Sequence, residues 1–264
     1  MSGKAFVITS GKGGVGKTTT VANIGTALAM RGNSTVVVDA DIGLRNLDMV
    51  MGLENRVVFN LVDVVEKVCR LRQALIRDKK LENLFLLPAA QTREKDAVQP
   101  DQMEELCEEL RKEFDYILID SPAGIEQGFR NAIAGADEAI IVTNPELSAV
   151  RDADRIIGLL QAAEFSSPRL IVNRLRLDMI KKGDMMNLDD VNDILAIDLL
   201  GYIPEDENII ISTNKGDACV LEKNSRAGEA FRRIAARVDG ETIPFMDFDS
   251  DPGFIAKLRR LIGF

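Results

Sequence analysis

"AFVITSGKGGVGKTTT" (residues 5–20) decides the fold. Five residues, "AFVIT" (5–9), form a short apolar β-branched run that reads as a buried strand. "SGKGGVGKTTT" (10–20) turns through four closely spaced glycines into a segment with helical character. Gly11 to Thr18 fits G-x-x-x-x-G-K-[ST], in the strand-loop-helix setting that a phosphate-binding loop needs. Gly11, Gly13, Gly14, Val15 and Gly16 let the backbone wrap closely around phosphates with its N–H groups turned inward. The helix start at Lys17, Thr18 and Thr19 adds partial positive charge. Lys17 is expected to reach the β- and γ-phosphates, and the Thr18 hydroxyl to bind Mg2+. Lys12 is a second lysine that a phosphate loop does not need. On the residues alone it is either a surface lysine beside the loop or an additional cation for the phosphates.

Outward from this loop, similar runs recur: "TVVVD" (35–39), "LFLLP" (84–88), "YILID" (116–120), "AIIVT" (139–143), "RLIVN" (169–173) and "LLGYI" (199–203). They are apolar throughout rather than alternating, which marks strands buried on both faces in a parallel sheet. Between them, residues 17–32, 100–114 and 145–163 read as helices; the first ends at a glycine and the second opens on Pro100 with acids behind it. The alternation predicts a three-layer, doubly wound α/β fold, with ligands beyond the carboxyl ends of the strands.

Composition narrows the chemistry. The 264 residues contain no histidine, which removes His-dependent hydrolase triads and His metal sites. Cys69, Cys107 and Cys219 are far apart and form no C-x-x-C pair, so a zinc ribbon or redox pair is not expected. No secretory leader or apolar run of about 18 residues is present, which points to the cytoplasm. A net charge of −9 argues against general affinity for nucleic acid.

Carboxylates follow two of the strands. Asp120 closes "YILID" in the Walker B manner and is expected to hold Mg2+ directly or through water. "VVVDAD" brings Asp39 and Asp41 to another strand end. Asp41 is better placed to orient an attacking water and Asp39 to support the metal shell; the sequence leaves the division between the two open.

The chain ends differently from its body. Residues 1–238 read as the nucleotide-binding domain. "DGETIPFMDFDSDP" (239–252) has five acids, two prolines and no base, and reads as a mobile linker. "GFIAKLRRLIGF" (253–264) carries Lys257, Arg259 and Arg260 and no acid, so it holds +3 while the remainder holds −12. On a helical wheel at about 100° per residue, Phe254, Ile255, Leu258, Leu261 and Ile262 share one arc of roughly 120°, with Phe264 near its edge. A basic amphipathic helix behind an acidic linker predicts an anchor for an anionic membrane surface. A helix docked on the domain, or on a partner, is the alternative.

The motif K-G-G-x-G-K-[ST]-T, the D-x-D after the second strand and "DSPAG" (120–124) resemble the deviant Walker A ATPases, the ParA/MinD family of P-loop proteins. The stretches 39–64 and 120–129 are most similar to the division-site members of that family, and the likeness extends through the tail. The resemblance implies an Mg2+-dependent ATPase that dimerises on ATP. It implies that Lys12 crosses the dimer interface to the partner's phosphates. It also implies a frame for adenine, with Asn173 pairing to the base, Arg174 stacking on it, and Pro204 and Asp206 in the loop after the next strand. Read without it, these are loop residues capping strands. Further implied are reversible attachment to the inner face of the cell membrane, a MinC-type division inhibitor and a MinE-type activator. Arg151, Asp152 and Asp154 would then help bind a partner; otherwise they are a solvated helix face. A ParA-like positioner of DNA or other cargo is the rival within the family. A nitrogenase-type member would need cluster-ligating cysteines that this chain does not place recognisably.

Overall fold

A computed structural model describes residues 2–94, 97–165 and 167–246. The strands are β1 (Lys4–Thr9), β2 (Thr35–Asp39), β3 (Ile76–Arg77), β4 (Leu84–Leu87), β5 (Tyr116–Asp120), β6 (Glu138–Thr143), β7 (Arg169–Leu175) and β8 (Leu199–Pro204). The helices are α1 (Lys17–Met30), α2 (Leu47–Val50), α3 (Leu61–Val65), α4 (Leu71–Ala74), α5 (Pro100–Leu110), α6 (Gln127–Ala134), α7 (Leu147–Ala162), α8 (Leu177–Lys182), α9 (Leu188–Leu195), α10 (Glu207–Asn214) and α11 (Arg226–Val238). The strands form one sheet in the order β3-β4-β2-β5-β1-β6-β7-β8. Its ladders are parallel, except that β3 pairs antiparallel with β4 at one edge. This is the three-layer, doubly wound fold expected from the strand pattern.

Why the strand runs lack alternation is visible in the core. Val36 and Val38 of β2 face one hydrophobic cluster with α5, α6, α7 and α9. Val37 faces the other, with α1 and α11. Both faces are apolar because both are covered. On the second face α1 lies so close to β2 that a Cβ on Gly25 would sit 2.5 Å from Val37 Cγ1. That approach sets the depth at which α1, and with it the phosphate loop, rests on the sheet.

Where residues 239–252 are expected to form a mobile linker, the chain as far as Met246 stays bound to the body. Asp239 accepts from Arg31 Nε and from the Tyr116 hydroxyl, both at 2.8 Å. Glu241 accepts from Arg31 Nη2 at 2.5 Å. Arg237 donates to the Ile243 carbonyl and lies 4.2 Å from the Phe245 ring centroid. Arg233 donates to Pro244, while Tyr202 stacks on Phe245 and bonds the Met246 carbonyl. Asp239 and Glu241 are answered by Arg31, the C-cap of α1, while Arg233 and Arg237 of α11 hold the backbone carbonyls that follow. The amphipathic stretch 253–264, and its membrane-facing candidates Phe254 to Phe264, lie outside the described residues. Among the described residues, no helix is long and apolar enough to cross a membrane.

Candidate functional site

The site lies where β1, β2, β5 and β7 end. β1 ends at Thr9, and the loop from Ser10 to Gly16 leads into α1. Gly14 and Gly16 adopt φ values of 76° and 99°, a left-handed region that a Cβ disfavours. Gly16 is the N-cap of α1, and no side chain caps the helix. Its first N–H groups are therefore offered to an anion, with the helix dipole behind them.

Lys17 is buried, and its ammonium donates to Ser10 Oγ at 3.0 Å. Burial holds its pKa below the ordinary lysine value, against the pull of Asp120 and Asp41. Ser10 in turn donates to the Lys12 carbonyl at 2.8 Å, so it links the two lysine positions. Sequence reading missed this residue; only its place before the loop's first glycine could have signalled it.

Lys12 points elsewhere. Its ammonium meets Ser148 Oγ at 3.2 Å and Glu146 Oε2 at 3.7 Å, at the start of α7, and the side chain is 44% exposed. Gly11 also touches α7, since a Cβ there would fall 2.3 Å from the Asp152 carbonyl oxygen. On the same helix Arg151 and Asp154 are exposed and Asp152 is half-buried against the loop. A cavity of about 380 Å³ adjoins, lined by Gly11, Ala123, Gly124, Ile125, Glu126, Asp152 and Arg155.

The carboxylates divide by their partners. Asp39 and Asp120 are paired in the β2–β5 register, side by side at the strand ends. Asp39 accepts from Asp41 N at 3.0 Å through one oxygen and from Leu47 N at 3.1 Å through the other. It therefore anchors the 41–47 loop that carries Asp41. Burial, only partly offset by these bonds, pushes its pKa up to about 6. The Thr18 hydroxyl lies beside Asp120 and favours its charged form, yet the Asp120 Oδ1 is buried without a hydrogen-bond partner. Burial, and then the nearby Asp39, push its pKa up to about 8. An orphaned buried carboxylate oxygen beside a threonine hydroxyl is a donor set that suits Mg2+. Among the described residues, no cluster of three or more His, Cys, Asp or Glu side chains could hold a metal. Magnesium needs no such cage when phosphates complete its shell.

The expected base frame looks different in atomic detail. Asn173 is buried, and its Nδ2 donates to the Val15 carbonyl at 2.7 Å. Arg174 is exposed, with a left-handed φ of 57°. Pro204 ends β8 and pairs with Leu175. Asp206 does not offer its carboxylate to a base. One oxygen accepts from Asn208 N, capping α10, and the other from Ser225 Oγ and Ala227 N at the start of α11. Burial works against its charge, but these bonds hold its pKa below the ordinary carboxylate value. Asn23 is another unforeseen buried group, tying α1 to Val220 N at 2.9 Å. A surface groove of about 1260 Å³ between the α3–α4 region and α5 shares no residue with the phosphate loop and holds charges of both signs.

A glycine loop opening an uncapped helix, a buried lysine within it, and a strand-end carboxylate with an unpaired oxygen together define a P-loop nucleotide-binding protein. A family model described as the CobQ/CobB/MinD/ParA nucleotide binding domain matches residues 6–219. The chain belongs to this family of nucleotide-binding ATPases. It is 53% identical to the septum site-determining protein MinD of Bacillus subtilis, over 99% of this chain and 98% of that protein. Among solved structures, it is similar to the MinC:MinD cell division complex of Aquifex aeolicus, with TM-score 0.87 and 46% identity over 92% of this chain and 99% of that one. It is also similar to the septum site-determining protein MinD of Pyrococcus horikoshii, solved with Mg-ADP, with TM-score 0.81 and 32% identity over 90% and 96%.

Proposed function

We propose that this protein is a septum-site-determining ATPase that dimerises on Mg-ATP, holds a division inhibitor at the membrane and is released by hydrolysis. The observation that carries the reading is the joint placement of Lys17, Thr18 and the unpaired Asp120 oxygen at the uncapped start of α1. Lys17 and the loop amides bind the β- and γ-phosphates. Thr18 and Asp120 would hold Mg2+, which when bound neutralises charge on the phosphate oxygens. Asp39 fixes the loop bearing Asp41, and Asp41 orients water. Lys12 acts across a dimer, adding a cation where charge develops on the γ-phosphate. For this it must leave Glu146 and Ser148, an exposed contact worth little.

Half-identity along nearly the full length of a septum-site protein favours this role over cargo positioning. A MinC-type inhibitor is supported by the similarity to a chain solved in a MinC:MinD complex. Residues 253–264 serve as the membrane anchor. Three basic residues contribute on the order of 1 kcal/mol each near anionic lipid, so one tail is weak, whereas two on a dimer gain avidity of about 10²–10⁴. Sedimentation with anionic liposomes tests the reading. Full-length protein should sediment with ATP or a slowly hydrolysed analogue and stay in solution with ADP. Removal of residues 253–264 should abolish sedimentation and spare nucleotide binding. Equal sedimentation with ADP and ATP refutes the switch.

A further inference from the structure

Asn173 is predicted from the family pattern to address the base, but its side chain is committed to the phosphate loop. It lies at the end of β7, where the pairing with β8 breaks register between Val172 and Leu175 and Arg174 turns left-handed. That irregularity leaves Asn173 buried against the loop. Its Nδ2 donates to Val15 O at 2.7 Å, and its Oδ1 accepts from Arg174 N at 2.9 Å. The two partners fix the amide's orientation, because a carbonyl can only accept and a backbone N–H can only donate.

We infer that Asn173 is a positioning residue of the phosphate loop, which sets the direction of the Val15–Gly16 peptide and links the base side of the site to the phosphate side. A peptide is planar and trans, so its C=O and N–H point in opposite directions. Holding the Val15 carbonyl towards β7 therefore turns the Gly16 N–H away from β7. Gly16 is also packed against the amide: a Cβ there would fall 2.3 Å from Asn173 Nδ2, quite apart from the strain at φ 99°. The loop's last glycine and Asn173 thus fit each other. Val15 itself is buried in the core cluster beneath α1, so the peptide is held from both ends.

Asn173→Asp separates the two bonds. It keeps the acceptor for Arg174 N and the shape of the side chain, but loses the donor to Val15; Asn173→Ala loses both. The first readout is hydrogen exchange of the peptide covering residues 10–18 in nucleotide-free protein, with melting curves to confirm folding. Both variants should exchange faster there than the native chain. The second is calorimetric affinity for Mg-tripolyphosphate beside Mg-ATP. The inference predicts that Asn173→Ala weakens both ligands by the same factor, about fivefold or more from the loss of the bond to Val15 alone. Unchanged exchange in both variants, or a loss confined to ATP with tripolyphosphate untouched, overturns it. Only the second arm rests on the nucleotide reading above. If the native chain binds neither ligand that reading fails, while the exchange result still decides the brace.

Discussion

Asp120→Asn should flatten the pH dependence of stability of the nucleotide-free protein. Asp120 is almost wholly buried at the end of β5, and burial reinforced by Asp39 pushes its pKa up to about 8 from an ordinary 3.8. The folded value is the raised one. Between the two values the folded chain keeps a proton that the unfolded chain has lost, so stability falls as pH rises. The contribution is complete below the unfolded value and is lost as pH climbs through the folded one. Where the difference is a full proton, the slope is about 1.4 kcal/mol per pH unit. For a chain of this size that is about 3–5 °C in melting temperature per unit. Melting followed by circular dichroism in chelator, from about pH 5.5 to 7.5, measures it. The native protein should lose stability more steeply than Asp120→Asn, and the difference in slope should approach one proton. Asp39, pushed up to about 6, faces Asp120 and titrates with it, so the difference in slope reports the extra proton held by the pair. Saturating Mg-ADP should shrink the difference, because a cation at Asp120 favours its ionised form. Parallel slopes in native and variant protein would refute the reasoning, since Asp120 would then hold no extra proton.

Two further outcomes follow from the same geometry. Lys12→Ala should leave ATP affinity and folding nearly intact, because its contacts at Glu146 and Ser148 are exposed and contribute less than about 1 kcal/mol. It should abolish ATP-dependent dimerisation and hydrolysis, and an undiminished dimer in sedimentation velocity refutes the role across the interface. The Arg237→Ala/Phe245→Ala double variant releases contacts that hold residues 243–245 on the body. If residues beyond Met246 are the tether of the anchor, this lengthens it, and effective concentration falls roughly as the −3/2 power of length. ATP-dependent liposome binding should then drop about twofold, with hydrolysis in solution unchanged; liposome binding equal to that of the native chain contradicts the clamp.

How much of this was legible depended on the range over which each signal acts. Strand β2 was read to the residue because Val36, Val37 and Val38 are all buried, which leaves an unbroken apolar run. Strand β3 was missed because two residues, Ile76 and Arg77, carry no period. Helix α10 was missed because Ile210 and Ile211 face outward and spoil any apolar stripe. The phosphate loop was legible because its glycines and lysine are contiguous. Asn173 and Asp206 were placed near the site, but the atoms they bond come from distant sequence: Val15 for one, Ser225 and Ala227 for the other. The segment from Asp239 to Met246 was misread for a related reason. Its composition states its charge, but not that Arg31, Arg233 and Arg237 stand opposite.

The placement of α7 ties these parts together. Arg151 and Asp154 lie exposed on this helix, while Asp152 sits against Gly11 with no room for a Cβ between them. Glu146 and Ser148, at its start, hold Lys12. Close-packed groups cannot absorb a shift, so a displacement of α7 passes to the phosphate loop. The contact is reciprocal. A Lys12 drawn away to a second subunit's phosphates leaves Glu146 and Ser148 without their cation, beside the same face that a partner would read. Linkage then requires that a partner preferring one arrangement of α7 bias the nucleotide site by the same free energy with which the nucleotide biases partner binding. The extra lysine of the loop and the start of α7 are in this sense two ends of one contact, and Gly11 is a glycine because its packing on Asp152 leaves no space for anything larger.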